Sequence, residues 1–326
     1  MKEGLRGKRV TVAGATGFIG TNLVEKLVQE GAIVRALTHI KPVRVLKSQV
    51  DYMNVDLSIR KDCIKATTDT DIFIMAAANS SGAGVMAKTP LVHLTPNVVM
   101  NALSLEACLK NGVKKYCFIS SNTVYPASDK HVTETDVTGK FFETYKVVGS
   151  MKLFSEHMVE MFSLNSNGAM AGLVIRPGNL YGPFDKFAPN ESKVVAALIR
   201  RAVNRENPFI VWGDGKDIKD FLYISDFVEA LVRSLKLDQS FLTLNIASGV
   251  SIELKTVIDQ IVRATNIHDL PIKFDESKPT MIPKRLIDIS LAKKLLSWSP
   301  KISLVEGIEE TVKWFNDYNL INEVYL

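Results

Sequence analysis

The chain has 326 residues, 46% of them apolar and 23% charged, and its 40 basic against 35 acidic side chains leave a formal net charge of +5. Such a composition excludes a disordered chain and suits one large α/β domain with a smaller lobe. No apolar run reaches the roughly 18 residues of a membrane span, MKEGLRGKR lacks a signal peptide's apolar core, and the basic residues are scattered rather than massed with aromatics. An anionic small molecule is therefore a better partner than nucleic acid or a membrane.

The first element is VTVA (10–13), short apolar or β-branched residues that read as a strand covered on both faces. It runs into a turn with Gly14, Gly17 and Gly20 at three-residue spacing. In the helix that follows, Leu23, Val24, Leu27 and Val28 keep helical intervals and Gly31 marks the stop. Glycines let a backbone approach a pyrophosphate, whose charge the free N–H groups of a helix start receive; tight strand–helix turns also use glycine without a ligand. This GxxGxxG turn, 14 residues from the start, resembles that of the extended short-chain dehydrogenase/reductase family of nucleotide-sugar epimerases, dehydratases and reductases. The resemblance implies an α/β fold, a Rossmann-type doubly wound parallel sheet with a smaller α/β substrate lobe. It also implies a nicotinamide dinucleotide held at Gly14, Thr16, Gly17, Phe18, Ile19 and Gly20.

AIVRALTH (32–39) reads as a second strand, ending in Thr38 and His39 where NAD-preferring folds place an acid on the ribose. Lys41, Arg44 and Lys47 follow, near enough to attract a 2′-phosphate, so NADP is favoured over NAD; a solvated basic loop is the other reading. Asp56 and Leu57 stand where the family holds adenine. DIFIMAAA (71–78) reads as another strand, whose Ala76, Ala77 and Ala78 leave room for a dinucleotide or for tight strand packing. SSGAG (80–84) is expected to lie over the substrate. A helix from Pro96 to Gly112 carries Asn97, which matches an asparagine near the family's active site and would suit any helix N-terminus.

KKYCFISSNTVYP (114–126) is a buried strand ending in polar residues, which puts Ser120, Ser121 and Thr123 at the carboxyl end where ligands of such sheets sit. Cys117 lies in this strand; with Cys63 and Cys108 it shows no metal or disulfide spacing, so a reduced, cytoplasmic protein without a metal site is expected. By resemblance the catalytic hydroxyl is Ser121, four residues before Tyr125. Family dehydratases carry Asp-Glu next; Asn122-Thr123 here argues against that reaction. The family works through Tyr-x-x-x-Lys on one helix, the two side chains about 6 Å apart along the axis. In ETYKVVGSMKLFSEHM, Lys152, Leu153 and Glu156 fit the family's K-L-x-x-E, but Val148 replaces the tyrosine. Tyr145 is the only nearby phenol, seven residues from Lys152 and about 10.5 Å along the helix. It reaches a sugar only if the helix starts late or the preceding loop folds inward, and is otherwise a partly buried aromatic.

RPGNLYGP (176–183) resembles the family's entry into the substrate lobe, with Asn179 as a diphosphate ligand. Lys193 and Trp212 belong to two further landmarks, SKVVAALIRR and VWGDG. Lys219 takes the place of a nucleotide-holding arginine, keeping its charge and losing its fork. Arg285, or Lys284 beside it, is the second phosphate contact, and WSPKISLVEGIEETVKWF (298–315) closes the chain as an amphipathic helix. These landmarks are most similar to the GDP-fucose synthase branch, which epimerises C3 and C5 of a GDP-4-keto-6-deoxymannose and reduces C4 with NADPH. The branch's epimerising cysteine and histidine fall at Thr123 and Ala188, neither of which can exchange a carbon-bound proton near neutral pH.

The expectation is thus a Rossmann domain over 1–176, with 209–247 partly returning to it, and a nucleotide-sugar lobe over 177–326. The activity expected is an NAD(P)-dependent oxidoreductase at C4 of a nucleotide sugar, GDP-linked with a mannose-like ring, without C3/C5 epimerisation. Lys152 orients the nicotinamide ribose, Ser121 and Thr123 bond the C4 oxygen, and the proton passes through Tyr145, Thr123 or a water chain. Reductase, dehydrogenase and 4-epimerase remain open, as does a catalytically silent binding protein. Val147, Met151, Phe154, Met158 and Met161 or Phe162 form one helical stripe, which points to a homodimer or larger assembly.

Overall fold

Strands made almost wholly of aliphatic and aromatic residues need cover on both faces, and the chain supplies it with helices on either side of one parallel sheet. The computed structural model describes residues 4–79, 89–189, 191–278 and 281–321. The sheet contains β1 (Arg9–Ala13), β2 (Ile33–Thr38), β3 (Asp51–Asn54), β4 (Ile72–Met75), β5 (Lys115–Ile119), β6 (Ala171–Pro177) and β11 (Phe241–Ile246). Their order is β11-β6-β5-β4-β1-β2-β3, all pairs parallel. Side chains alternate between two buried clusters: in β4, Ile72 and Ile74 face one, Phe73 and Met75 the other. Helices α1 (Phe18–Gln29) and α6 (Ile224–Leu235) cover the first face. The second is covered by α2 (Arg60–Thr67), α3 (Leu94–Lys110) and α4 (Lys146–Leu164). Strand order reverses between β1 and β4, so the crevice at their carboxyl ends is where this architecture receives ligands.

The smaller lobe holds three two-stranded ribbons. β7 (Asn179–Tyr181) pairs with β10 (Phe221–Tyr223), β8 (Phe209–Trp212) with β13 (Ile272–Asp275), and β9 (Ile218–Lys219) with β12 (Ile252–Glu253). Helices α5 (Val194–Val203), α7 (Leu254–Thr265) and α9 (Leu304–Ile321) pack beside them, and α8 (Ser290–Leu296) lies against α6. Part of 209–247 returns to the large sheet. Phe209 and Val211 are buried in the lobe, and only α6 and β11 rejoin the first domain. The last helix also starts later than Trp298, at a reciprocal capping box: Ser303 N–H donates to Glu306 Oε2 at 2.9 Å and Glu306 N–H to Ser303 Oγ at 3.3 Å. Residues 282–288 run between the two parts as a strap, bridging Ile218 through Lys284 and Val132 through Ile287.

Candidate active site

The glycine turn does two structural jobs and leaves a third open. Gly14 has φ +77°, and a Cβ there would fall 2.6 Å from Ala77 N, so only glycine lets the β4 tail pass. At Gly20 a Cβ would fall 2.1 Å from Gly14 O, so α1 seats on the turn only without one. Gly17 is the N-cap of α1, with no side-chain cap and no acid in the first turn. A helix start left uncapped, behind a turn with glycine at 14 and 17, fits a pyrophosphate. Thr16 and Phe18 are buried and Ile19 half-buried around it.

On the adenosine side, Thr38 ends β2 and His39 Nε2 stands 3.8 Å from Asp56 Oδ2. Asp56 accepts from the Ser58 N–H and hydroxyl, bonds that hold its carboxyl below the usual range, and Leu57 is buried. The three cations expected to await a 2′-phosphate have other partners. Lys41 pairs with Glu191 at 3.4 Å, Arg44 donates to Phe184 O, and Lys47 pairs with Glu25 at 3.1 Å. Through Lys41 and Arg44 the basic loop is thus tied to Glu191 and Phe184, which spacing along the chain could not reveal. Strand β4 stops at Met75, and Ala76–Ala78 continue as coil past the glycine turn. Asn97 is 2% exposed and clamps that coil, accepting from Asn79 N–H at 2.9 Å and donating to Asn79 O at 3.0 Å. Its amide therefore works through the backbone beside the cleft. The loop 80–84 lies outside the described residues.

At the end of β5 the chain tightens into a single 3₁₀ turn, Asn122–Val124, capped by Ser121 Oγ accepting from Thr123 N–H at 3.2 Å. Thr123 Oγ1 is buried with no hydrogen-bond partner, a group that asks for a ligand or water. Helix α4 presses on this turn because residue 149 is glycine: a Cβ would fall 2.6 Å from Thr123 O. One turn further, Lys152 Nζ donates to Ile119 O at 2.8 Å and lies 4.6 Å from the Phe118 ring centroid. Burial, with Lys193 nearby, pushes its ammonium down to about 8 against the opposing pull of Glu156. Glu156 is itself engaged, 2.6 Å from Arg176 Nη2 and accepting from Ser120 Oγ. Arg176 also donates to Tyr125 Oη at 2.9 Å, and that phenol donates to Asn245 Oδ1 at 2.6 Å. Tyr145 is the last residue before α4, 9% exposed, with Ile282 and Arg285 as neighbours and burial raising its phenol to about 12.

The other predicted contacts lie in the lobe. Asn179 spends its amide on Asp220 O at 2.8 Å, and Asp220 accepts the N–H groups of Ser248 and Gly249, both at 2.7 Å, while burial lifts its carboxyl to about 6. Lys193 is exposed at the N-cap of α5, Trp212 is half-buried with the Arg201 guanidinium 5.8 Å from its ring, and Lys219 is 9% exposed beside Asp217 at 2.6 Å. Arg285 is turned inward: it is 2% exposed and donates to Pro126 O at 2.8 Å and Tyr125 O at 3.0 Å. A guanidinium so used staples the strap to the turn after Thr123, whereas Lys284 beside it is half-buried at the surface, 3.2 Å from Asp129. Two groups escaped the sequence reading. Gly149 reads as a weak helix residue until its neighbour is seen, and Asp185, 6% exposed with Oδ2 unpartnered, sits inside GPFDKF unmarked by any spacing.

The same assembly of turn, crevice and lobe recurs in known proteins. Residues 10–247 match the model of the NAD dependent epimerase/dehydratase family. A GDP-L-fucose synthase of Sinorhizobium fredii is 30% identical over 327 residues, covering 95% of this chain and 96% of its own. A GDP-mannose 3,5-epimerase 1 of Oryza sativa subsp. indica is 28% identical over 323 residues, covering 95% and 82%. Among solved structures, a UDP-glucose 4-epimerase from Thermotoga maritima superimposes with TM-score 0.85 at 23% identity, covering 95% of this chain and 99% of that one. A UDP-N-acetylglucosamine 4-epimerase from Methanobrevibacter ruminantium gives 0.84 at 25% identity, covering 96% and 99%. With the matched region running from the first strand through the glycine turn and crevice to the returning strand, the chain belongs to the NAD dependent epimerase/dehydratase family.

Proposed function

We propose that the protein is an NAD(P)-dependent oxidoreductase acting at C4 of a GDP-linked sugar with a mannose-like ring, without C3/C5 epimerase activity. The observation that carries this reading is an asymmetry at the site. The groups for the redox step are present at the carboxyl end of β5, whereas threonine and alanine stand where carbon acid–base groups would be needed, at 123 and 188. Bound at the glycine turn, the nicotinamide cofactor supplies or accepts the hydride. Gly14, Gly17 and Gly20 admit its pyrophosphate, and Lys152 holds the ribose beside the β5 end. Thr123 Oγ1 and Ser121 Oγ bond the C4 oxygen, and Lys193 and Lys219 attract the diphosphate. The GDP assignment draws on the GDP-sugar enzymes among the relatives. A homodimer is supported by Phe154, Met161 and Leu164, about half exposed on α4.

A panel of nucleotide sugars and their 4-keto forms, followed by nicotinamide absorbance at 340 nm, tests the reading. Net oxidation or reduction of a GDP-sugar supports it. Turnover without net absorbance change would make the protein a 4-epimerase, and binding without turnover a silent one. With Lys41, Arg44 and Lys47 engaged elsewhere, calorimetry should find NAD(H) and NADP(H) within tenfold of each other.

A further inference from the structure

We propose that Lys152 is itself the acid–base group of this site, its amine exchanging the proton with the C4 oxygen that a tyrosine would otherwise handle. This deepens the reading given above and rests on it. Three observations carry it.

The first is what surrounds position 148. Valine there leaves the phenol's place empty of any titratable group, and Gly149 brings this part of α4 against the carbonyl of Thr123. The second is where the remaining phenol sits. Tyr145 is shut beneath the strap with Ile282 and Arg285, one residue before α4 begins, so it lies two turns from Lys152 and faces the lobe. The third is the state of the amine. Among the described residues Lys152 has no carboxylate within ion-pair distance, because Glu156, one turn along, is bound to Arg176 and Ser120. Among the described residues its ammonium has one hydrogen bond, to Ile119 O, and Phe118 lies under it. The charged groups that act on it are Glu156 from its own helix and Lys193 from the lobe. Lys152 is half-buried, and a lysine partly desolvated with a second cation acting on it is a known route to an amine that titrates near neutrality, where general acids work best.

In the reductive direction the Nζ–H bond breaks and an O–H bond forms on the C4 oxygen as the carbonyl carbon takes a hydride. The amine is left neutral and regains its proton from water. The reverse direction runs the same bonds backwards with a neutral amine as base. Reduction therefore needs the ammonium form and should fail at high pH, whereas oxidation needs the free amine and should fail at low pH.

The experiment pairs two readouts. Wild type and Lys152→Arg are labelled with ¹⁵N-lysine, and the Lys152 signal, assigned by its loss in the variant, is followed by NMR against pH in the enzyme without substrate. In parallel, reductive turnover is measured from pH 6 to 10. Expected are an amine titrating near pH 8, turnover falling about tenfold per pH unit above that point, and at least a hundredfold loss in Lys152→Arg, which keeps the charge but cannot release a proton. Because Lys152 also holds the ribose, the variant's cofactor affinity is measured by nucleotide fluorescence and its turnover is read at saturating cofactor. An amine that titrates at the ordinary lysine value overturns the proposal. So does a Lys152→Arg enzyme with near wild-type turnover and an unchanged pH profile, which would mean that the charge alone matters. A panel in which no sugar is reduced refutes the substrate reading instead, because the amine titration does not depend on any substrate.

Discussion

Lys152, the acid–base group proposed above, would be kept at the expense of stability. In an unfolded chain its amine holds a proton up to about pH 10.5, and in the folded protein only to about 8. Between those values the unfolded chain binds more protons, so stability should rise with pH through that window and be penalised in full below it. At 1.36 kcal/mol per pH unit the penalty is about 3 kcal/mol at pH 7. Lys152→Met should thus melt higher than wild type at pH 7, with the gap closing towards pH 10.5, while turnover is lost. A variant that melts lower at pH 7 would mean that the bond to Ile119 O outweighs the burial of charge. The same scale shows where spacing along the chain stops being informative. Asn97 and Arg285 were recognisable as polar residues in meaningful places, but their partners, Asn79 and the carbonyls of Tyr125 and Pro126, are distant in sequence. Periodicity reports which residues share a face and says nothing about which backbone they meet.

At the scale of elements, α4 carries most of the site. Its glycine at 149 sets the approach to Thr123, its lysine reaches β5, and its glutamate anchors the buried Arg176. Val148→Tyr would return a phenol one turn from Lys152. If the site has kept its geometry around the gap, the variant should raise reductive turnover by about tenfold, or ~1.4 kcal/mol of barrier. A loss of that size would show that the space above valine is occupied by the sugar. The apolar stripe of α4 was legible as a stripe but not as two surfaces. Met151 and Met158 are buried, the latter in the second cluster, whereas Phe154 and Met161 are 49% and 51% exposed. A helix that packs on a sheet with one edge and presents the next outward has the same period as one buried throughout. The strands were the most legible elements, since fully apolar runs such as IFIM are required by a sheet covered on both faces. Their ends were less so: β4 stops before the alanines because the coil must pass the glycine turn there.

For the whole molecule, two features follow from the arrangement of parts. The exposed Phe154, Met161 and Leu164 should bury themselves against a second copy. Light scattering at micromolar concentration should therefore give a dimer, and Phe154→Asp should convert it to a monomer with unchanged circular dichroism. A wild-type monomer would leave that face without the partner inferred here. The second feature is the proposed division of labour across the cleft, cofactor on the large sheet and sugar on the lobe, with the two parts joined by the strap that Arg285 ties to the turn after Thr123. The strap's role needed coordinates, because its contacts run to residues 66 to 160 positions away.

The most direct test of the central claim is a single incubation in D₂O. GDP-4-keto-6-deoxymannose and reduced cofactor are mixed with the enzyme, absorbance at 340 nm is followed, and the product's deuterium content is read by mass spectrometry. The account predicts consumption of reduced cofactor and a C4-reduced sugar with no deuterium at C3 or C5 above the blank. Deuterium at either carbon, or a flat absorbance trace with this sugar and with the rest of the GDP-sugar panel, would contradict it.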